Sequence, residues 1–159
     1  MQWYRETVWI DSPCGRAAEQ AMVEGRIAPP AFQPAIEEVL MADARAICQS
    51  VEPVSGRVML EGRVFFHVLY TAEESVFAFE SSAPFKHGMD MPGVEPGARC
   101  RVQVGIAGVD HTMEAGVLNV RAAVNIECSA SISKEHQVCT SAQDAQDIQT
   151  LKDTAVFVG

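Results

Sequence analysis

The sequence predicts an all-β protein: an antiparallel β-sandwich or open barrel with at most a short helix and with strand-like N- and C-terminal extensions. Apolar and polar residues alternate over long runs, most clearly at 57–70 and 117–130. Polar turns and Gly or Pro residues separate these runs. No interval between runs has the length and period of a crossover helix, so parallel βαβ units are not expected.

The two regular runs also predict which side chains form the core. Successive strand residues point to opposite faces of a sheet, so residues of one parity share a face. Residues 71–75 and 113–116 supply the turns that follow or precede these strands, and the second of them predicts a hairpin. The predicted core residues are Val58, Leu60, Val64, Phe66, Val68 and Tyr70 in the first run and Leu118, Val120, Ala122, Val124 and Ile126 in the second.

The N-terminal part is less regular. Residues 2–10 alternate and are rich in aromatic and β-branched types, which predicts a strand. Residues 11–15 include Pro13 and Gly15 and are expected to break it. Residues 16–22 are rich in Ala and could form a short helix, and 36–40 could form a helical turn before a strand.

These patterns divide the chain into an N-terminal extension (1–22), a β-domain (23–130) and a C-terminal extension (131–159). Residues 131–148 are polar and lack a sustained apolar face, which suggests a linker or a loosely packed tail. A separate β-prone segment, 154–158, follows it. Both extensions therefore carry a strand whose partner is not evident within the domain.

Charge and hydropathy exclude several classes of partner. The formal charge of −9 argues against binding to nucleic acid or to an anionic membrane surface. No run is long and apolar enough to span a bilayer, and the first residues do not resemble a signal peptide. We therefore expect synthesis in the cytoplasm, without export by a signal peptide.

The cysteines predict neither a closed disulfide framework nor a zinc site, because there are five of them and no CxxC pair. Cys48, Cys100 and Cys128 lie in strand-like runs and are expected to be small buried hydrophobic residues. Cys14 and Cys139 lie outside the predicted core, where a thiol is accessible. They are candidates for intermolecular crosslinks, although unused surface thiols remain equally compatible with the sequence.

No catalytic or cofactor-binding constellation is evident. The four histidines have no metal-ligand spacing except His136 with Cys139, and we interpret them as surface residues. Glu73 and Glu74 are adjacent carboxylates, but they lie in a polar turn where solvated charges are expected. We predict no catalytic residue, no metal and no cofactor, and we do not expect an enzyme.

Several short motifs occur in an order that resembles the SPOCS domain of spore-forming Firmicutes. They are VEGRI (23–27), IEEVL (36–40), GRV (56–58), EG (61–62), VLY (68–70), FE (79–80), PFKH (84–87), PG at 92–93 and 96–97, and the strand at 120–127. The resemblance covers about residues 23–130. Each motif is short, so the ordered succession carries the resemblance.

The resemblance implies a protein of the spore envelope, because members of this family act as coat or exosporium morphogenetic proteins. It implies synthesis in the mother cell and a final location in the spore surface layers. It also implies other spore-envelope proteins as partners. Members often carry several copies of the domain or an attached LysM domain, whereas this sequence has one copy and no LysM domain.

The extensions suggest how such a protein could assemble. A strand outside its domain has apolar surface to bury, and a sandwich has edges that accept another strand. The alternative is that both terminal segments pair within their own chain. The alternative function is that of a monomeric module that binds another coat protein or a glycan. The candidate interface residues are Trp3, Val8, Trp9, Ile10, Val156, Phe157 and Val158.

Overall fold

The computed structural model describes the backbone of residues 2–143 and the side chains of residues 7–135. Its six strands form two three-stranded antiparallel sheets, with the orders β1-β6-β5 and β2-β3-β4. The two sheets pack face to face, so the predicted β-sandwich is confirmed. The strands are β1 (Gln2–Ile27), β2 (Glu38–Val54), β3 (Arg57–Ala72), β4 (Ser75–Asp90), β5 (Arg99–Glu114) and β6 (Val117–Gln143).

The core lies between the sheets and is centred on β3 and β6, the middle strand of each. Every residue predicted for the core faces of these strands is buried, including Phe66 and Tyr70 in β3 and Leu118 and Ile126 in β6. A strand with a neighbour on both sides buries its inner side chains most completely, which is why the two clearest alternating runs are the two central strands.

The expected helices are absent from the described residues. Residues 16–22 belong to β1, which continues from the N-terminal segment across Pro13 and Gly15 through a register shift. A β-bulge accommodates one extra residue without ending the strand, so these two residues bend β1 and do not break it. Ile36 lies in a loop, and β2 begins two residues later. The prediction of a linker is wrong for residues 131–143, because these residues continue β6.

Contacts between the sheets define two ends of the molecule. The Glu19 and His87 side chains meet across the sheets, and Gly25 packs beside Ala83, so β1 and β4 run in opposite directions. Consequently the β3–β4 turn, the β5–β6 turn and residues 28–37 lie at one end, which we name the turn end. The first residues of β1 and the last of β6 extend from the other end.

The backbone of the β3–β4 turn is strained, and a glycine substitution can test the effect of this strain on stability. Its two residues, Glu73 and Glu74, have φ angles of 50° and 62°. Two-residue hairpin turns require positive φ, a conformation that costs an ordinary L-residue about 1–2 kcal/mol. We expect Glu74→Gly to raise the free energy of unfolding by about 1 kcal/mol, because Gly relieves that strain but loses more backbone entropy.

Urea denaturation of both chains measures this difference. Glu80→Gly is a suitable control, because Glu80 lies in the middle of β4 and Gly there is expected to destabilise the strand. A lower urea midpoint for Glu74→Gly than for the unmodified chain would contradict the strain argument.

No helix that could cross a membrane occurs in residues 2–143.

Candidate functional site

The candidate site is a two-stranded arm that projects from the sandwich. Residues 2–13 of β1 pair with residues 131–143 of β6, through to Gln2 opposite Gln143. The third strand of this sheet, β5, begins at Arg99 opposite Ser131 and does not extend along the arm. Among the described residues, therefore, neither strand of the arm has a partner on its outer edge.

The arm contains the predicted interface residues at the N-terminus. Backbone pairing places Trp3 opposite Ala142, Val8 opposite His136, Trp9 opposite Glu135 and Ile10 opposite Lys134. This N-terminal segment thus pairs within its own chain, which was one of the two arrangements that the sequence left open. Val156, Phe157 and Val158 lie outside the described residues, as do the side chains of Trp3 and Cys139.

Val8 and Trp9 leave apolar surface exposed on the arm. The Trp9 side chain is 66% exposed, Val8 is also exposed, and Ile10 is half-buried. Val8 and Trp9 are adjacent strand residues, so they lie on opposite faces of the arm. A two-stranded ribbon has no core that could bury the Trp9 indole. Contact with a partner surface would remove this apolar side chain from water.

The bulge at the root of the arm turns Cys14 toward the core. Cys14 is half-buried and packs against the core residues, whereas the sequence predicted an accessible thiol in a break. Its carbonyl oxygen lies against Gly93, and Gly15 packs beside Met91 and Val94 of the β4–β5 loop. Cys139 lies in the arm opposite Arg5, so the two candidate crosslinking residues are apart along the ribbon.

Basic side chains surround the root of the arm on the outer face of this sheet. The register places Arg16 of β1 and Arg101 of β5 on either side of Ser129 of β6. Two residues before Arg101, on the same face, Arg99 reaches Asp11 of the arm, with 3.8 Å between the guanidinium nitrogen and the carboxylate oxygen. These residues line a depression of about 570 Å³. Sequence inspection missed this cluster, because its arginines come from strands far apart in the chain.

The chain matches one known protein family. The family model described as SipL, SPOCS domain, matches residues 35–114, about half of the chain.

The chain belongs to the SPOCS domain family. This membership confirms the resemblance and makes the chain a sporulation-related protein. No curated protein and no solved structure matches the chain.

The SPOCS match covers β2, β3, β4 and β5 completely, that is, one whole sheet and one edge strand of the other. Both strands of the arm, β1 and β6, lie outside the matched residues. The family match therefore gives no information about the arm, which is known only from the structure of this chain.

Inside this SPOCS protein, three thiols interact across the core. Burial, together with smaller effects of the neighbouring Cys100 and Cys48 thiols, raises the pKa of the Cys128 thiol from its ordinary value of 9.0 to about 11. Burial also raises the pKa values of Cys100 and Cys48. Cys128 is fully buried and the other two are half-buried against the core, so the prediction that they are packing residues is confirmed for Cys128.

The raised pKa of Cys128 predicts a loss of stability at high pH. In the unfolded chain the thiol ionises near pH 9, whereas in the folded chain it stays neutral until about pH 11. The contribution to stability is therefore fully present below pH 9 and is lost as the pH rises toward 11. We expect urea midpoints to fall between pH 9 and pH 11 and to fall less steeply in Cys128→Ala. Equal slopes in the two chains would contradict this assignment.

His67 and His111 are exposed, as the sequence predicted, whereas His87 is half-buried. His87 Nε2 lies 2.6 Å from Glu19 Oε2 and joins the two sheets along one side of the sandwich. His67 Nδ1 lies 3.1 Å from Glu80 Oε2 on the outer face of the other sheet. In the part of the chain that the structure describes, no group of three or more His, Cys, Asp or Glu side chains is placed to hold a metal ion.

Proposed function

We propose that this chain is a structural, self-assembling protein of the spore envelope, in the coat, the exosporium or a spore appendage or fibre. The observation that carries the proposal is the two-stranded arm with its exposed Trp9. Family membership supplies the sporulation context. No catalytic activity is part of the proposal.

The physical argument begins with the stability of the arm. An isolated two-stranded ribbon is at best marginally stable in water, and strands with free edges tend to pair with further strands. The arm is such a ribbon, because β5 pairs with β6 only as far as Ser131. A neighbouring subunit that adds a strand to either edge would complete its hydrogen bonds and cover Trp9.

Strand addition by an arm also predicts the form of the assembly. The arm of one subunit would bind a different surface on the next, which makes the contact heterologous. Repetition of a heterologous contact gives a filament, or a ring when the rotation happens to close. The proposed partners are therefore further copies of this chain together with other spore-envelope proteins.

Disulfides between subunits are a second part of the proposal. Cys139 belongs to the arm strand β6, and Cys14 is half-buried at the root of the arm. A protein made in the reducing cytoplasm of the mother cell and later located in the spore surface layers would keep these thiols reduced until it reached an oxidising environment. Oxidation by molecular oxygen would then form crosslinks after assembly.

A monomeric binding module is the alternative function. The depression beside Arg99 and Arg101 favours it, because a cationic recess at the root of an arm could hold an acidic segment of another coat protein or an anionic glycan. In that case the arm would serve as one wall of a binding site and not as a joint.

Negative-stain microscopy of the purified chain, with and without reductant, distinguishes the two functions. Self-assembly predicts fibres or sheets in both conditions, with oxidised assemblies that resist dilution better than reduced ones. A monodisperse monomer in both conditions would contradict self-assembly and favour the binding module. Size-exclusion chromatography of the same samples provides the matching measurement in solution.

A further inference from the structure

The two sides of the sandwich differ in how completely they are closed. On one side, the edge strands β1 and β4 bury inner side chains such as Val23, Phe79 and Phe85. The pair formed by Glu19 and His87 also joins these two strands. On the other side, which we name the open side, the edge strands are β2 and β5. Neither β2 nor β5 contains a buried residue, so the core is less completely covered on this side.

The inner side chains of the open side are apolar although they are only half-buried. In β5 and β2 they belong to Cys100, Val102, Val104, Ile106 and Val109 and to Val39, Ala44, Ala46, Cys48 and Val51. Their neighbours on the middle strands are buried, and Val104, for example, lies opposite the fully buried Ile126. Contact with further protein along the open side would remove this apolar surface from water, which is favourable.

β5 is the strand of the open side that is suited to accept another strand. β2 is bulged at two places, and a bulged edge resists regular pairing. β5 is regular from Arg99 to Ile106, contains no proline, and has one bulge, between Ile106 and Gly108. Within the described residues, no strand pairs with its outer edge. The backbone groups along this edge can therefore form a ladder with an added strand.

The charges of β5 are separated along its length. On the outward face, arginines lie at the start of the strand, at Arg99 and Arg101, and carboxylates lie towards its end, at Asp110 and Glu114. An antiparallel strand of the same sequence would place its carboxylates beside these arginines and its arginines beside these carboxylates. A parallel strand of the same sequence would place like charges together. The charge pattern thus favours a second copy of β5 in antiparallel orientation.

The start of β5 retains its positive charge in the presence of its neighbours. Arg99 lies 3.8 Å from the Asp11 carboxylate. Arg101 has Arg16 two strands away in the same row and Glu127 in the next row, and it forms no ion pair within the described residues. Three arginines therefore face two carboxylates here. Arg101 lies on the edge strand itself, next to the position of an added strand.

The end of β5 likewise retains its negative charge. Asp110 lies opposite Arg121, but the Arg121 guanidinium is 3.1 Å from Glu24 on its other side. In the part of the chain that the structure describes, neither Asp110 nor Glu114 forms an ion pair. Arg26 is the other cation at this end, and it lies on β1, two strands from the edge. An added strand would therefore meet carboxylates first.

A register for this pairing follows from the charges. We set Arg101 of one copy opposite Asp110 of the second copy and leave the bulged residue 107 out of the count. Gly105 then lies opposite Gly105 of the second copy, on a twofold axis. A Cβ atom at Gly105 would meet no heavy atom within 4 Å, so no side chain crowds the axis.

The same register matches the inner face of the strand. It sets Val104 opposite Ile106 of the second copy, and Val102 opposite Val109. Each of these four side chains is half-buried in the single chain. Apolar residues therefore meet apolar residues on the inner face, while opposite charges meet on the outer face.

We propose that the β5 edges of two copies pair antiparallel about a twofold axis at Gly105 and join two sandwiches through one continuous six-stranded sheet. This contact is isologous, whereas the arm contact is heterologous. The inference goes beyond the proposed function and does not depend on the arm. Because the β5 contact has no large aromatic anchor, we expect it to be weaker than the arm contact and to form at higher concentrations.

Cysteine crosslinking tests the register. Paired residues on antiparallel strands have Cα atoms about 4.5–5.5 Å apart, a distance that a disulfide can bridge. Gly105→Cys is therefore expected to give a disulfide-linked dimer when oxidised glutathione is supplied as the oxidant. The host chain carries Val8→Ser and Trp9→Ser, which we name the arm variant, and also Cys139→Ser, so that neither the arm contact nor that thiol contributes.

Gly108→Cys in the same host chain is the matched control. Gly108 lies on the same face of β5, and a Cβ atom there also meets no heavy atom within 4 Å. In the proposed register, however, the two copies of Gly108 are about 14 Å apart along the strands, which is too far for a disulfide. We expect at least about 10-fold more crosslinked dimer from Gly105→Cys than from Gly108→Cys or from the host chain.

Exchange of charge tests the occupant without a disulfide. Arg101→Glu and Asp110→Lys in the arm variant are each expected to weaken dimer formation about 10-fold, because each occurs twice in the contact. The chain that carries both substitutions is expected to recover it. The two single substitutions change the net charge of −9 in opposite directions, so general repulsion between copies cannot explain a loss in both. Circular dichroism verifies that each variant is folded.

Sedimentation velocity separates this inference from the proposed function. A dimer of the arm variant at high concentration, lost in Arg101→Glu and regained in the doubly substituted chain, supports the β5 contact. If the arm variant is monomeric at every concentration, or if Gly108→Cys crosslinks as readily as Gly105→Cys, the β5 contact is wrong, whether or not the unmodified chain assembles. If the unmodified chain forms this dimer and nothing larger, the arm proposal fails and the β5 contact stands.

Discussion

Replacement of Gly62 by alanine is expected to lower the free energy of unfolding by about 3 kcal/mol. Gly62 faces the core from the middle of β3, at the point where β2 is bulged between Cys48 and Ser50. A Cβ atom there would lie 2.7 Å from the Phe85 ring and would also clash with the Ile47 carbonyl oxygen. The second of these obstacles is backbone, so a change of side-chain rotamer cannot remove the clash.

Gly105→Ala is the matched control. Gly105 is also a strand glycine without a positive φ angle, but its Cβ would meet no heavy atom within 4 Å. Because alanine reduces the backbone entropy of the unfolded chain, this change is expected to be neutral or to stabilise by less than about 1 kcal/mol. Urea denaturation of both variants measures the difference, and equal midpoints would contradict the packing that we describe around Gly62.

The second large effect is expected at the arm. Val8→Ser with Trp9→Ser removes the exposed apolar side chains of the arm but leaves its backbone pairing with β6 unchanged. Large aromatic residues at the centre of an interface contribute about 2 kcal/mol or more each, which corresponds to about a 30-fold weaker contact. We expect this variant to stay monomeric at concentrations where the unmodified chain forms assemblies.

Met59→Ser is the control for the arm variant. Met59 is an exposed apolar residue in β3, on the outer face of the other sheet and outside the arm. Its loss is expected to leave assembly unchanged. If both variants assemble equally, or if Met59→Ser is the one that fails, the arm is not the joint.

Much of the fold could be predicted from the sequence, because the central strands bury one face and expose the other. Alternation in β3 and β6 therefore identified Phe66, Tyr70, Leu118 and Ile126 as core residues, and the family resemblance was also confirmed. The turns at Gly56 and Gly116 were recognisable because glycine accepts a positive φ angle.

Only one strand of the arm, at residues 2–10, was predicted from the sequence, because backbone pairing holds the arm together more than the burial of side chains does. Residues 131–143 are polar on both faces, so they lack the alternation that indicates a half-buried strand. Pro13 and Gly15 suggested a break where the chain makes a bulge. Whether a Pro and a Gly end a strand or only bend it depends on the partner strand, and here that partner lies more than a hundred residues away.

The surfaces that could carry function were also hidden, since they combine residues from distant strands. Arg16 and Arg101 meet across Ser129, and Glu19 meets His87 across the two sheets. Single residues of these types are common on any surface. Only the strand register shows that they lie together.

Sedimentation velocity of the purified chain over a wide range of concentrations tests whether the chain assembles through its arm. Self-assembly through the arm predicts a monomer of 17.2 kDa at the lowest concentrations and a continuous series of larger species as the concentration rises. The same growth is expected with reductant present, because strand addition does not require a disulfide. A single species of monomer mass at every concentration would show that the chain does not self-assemble.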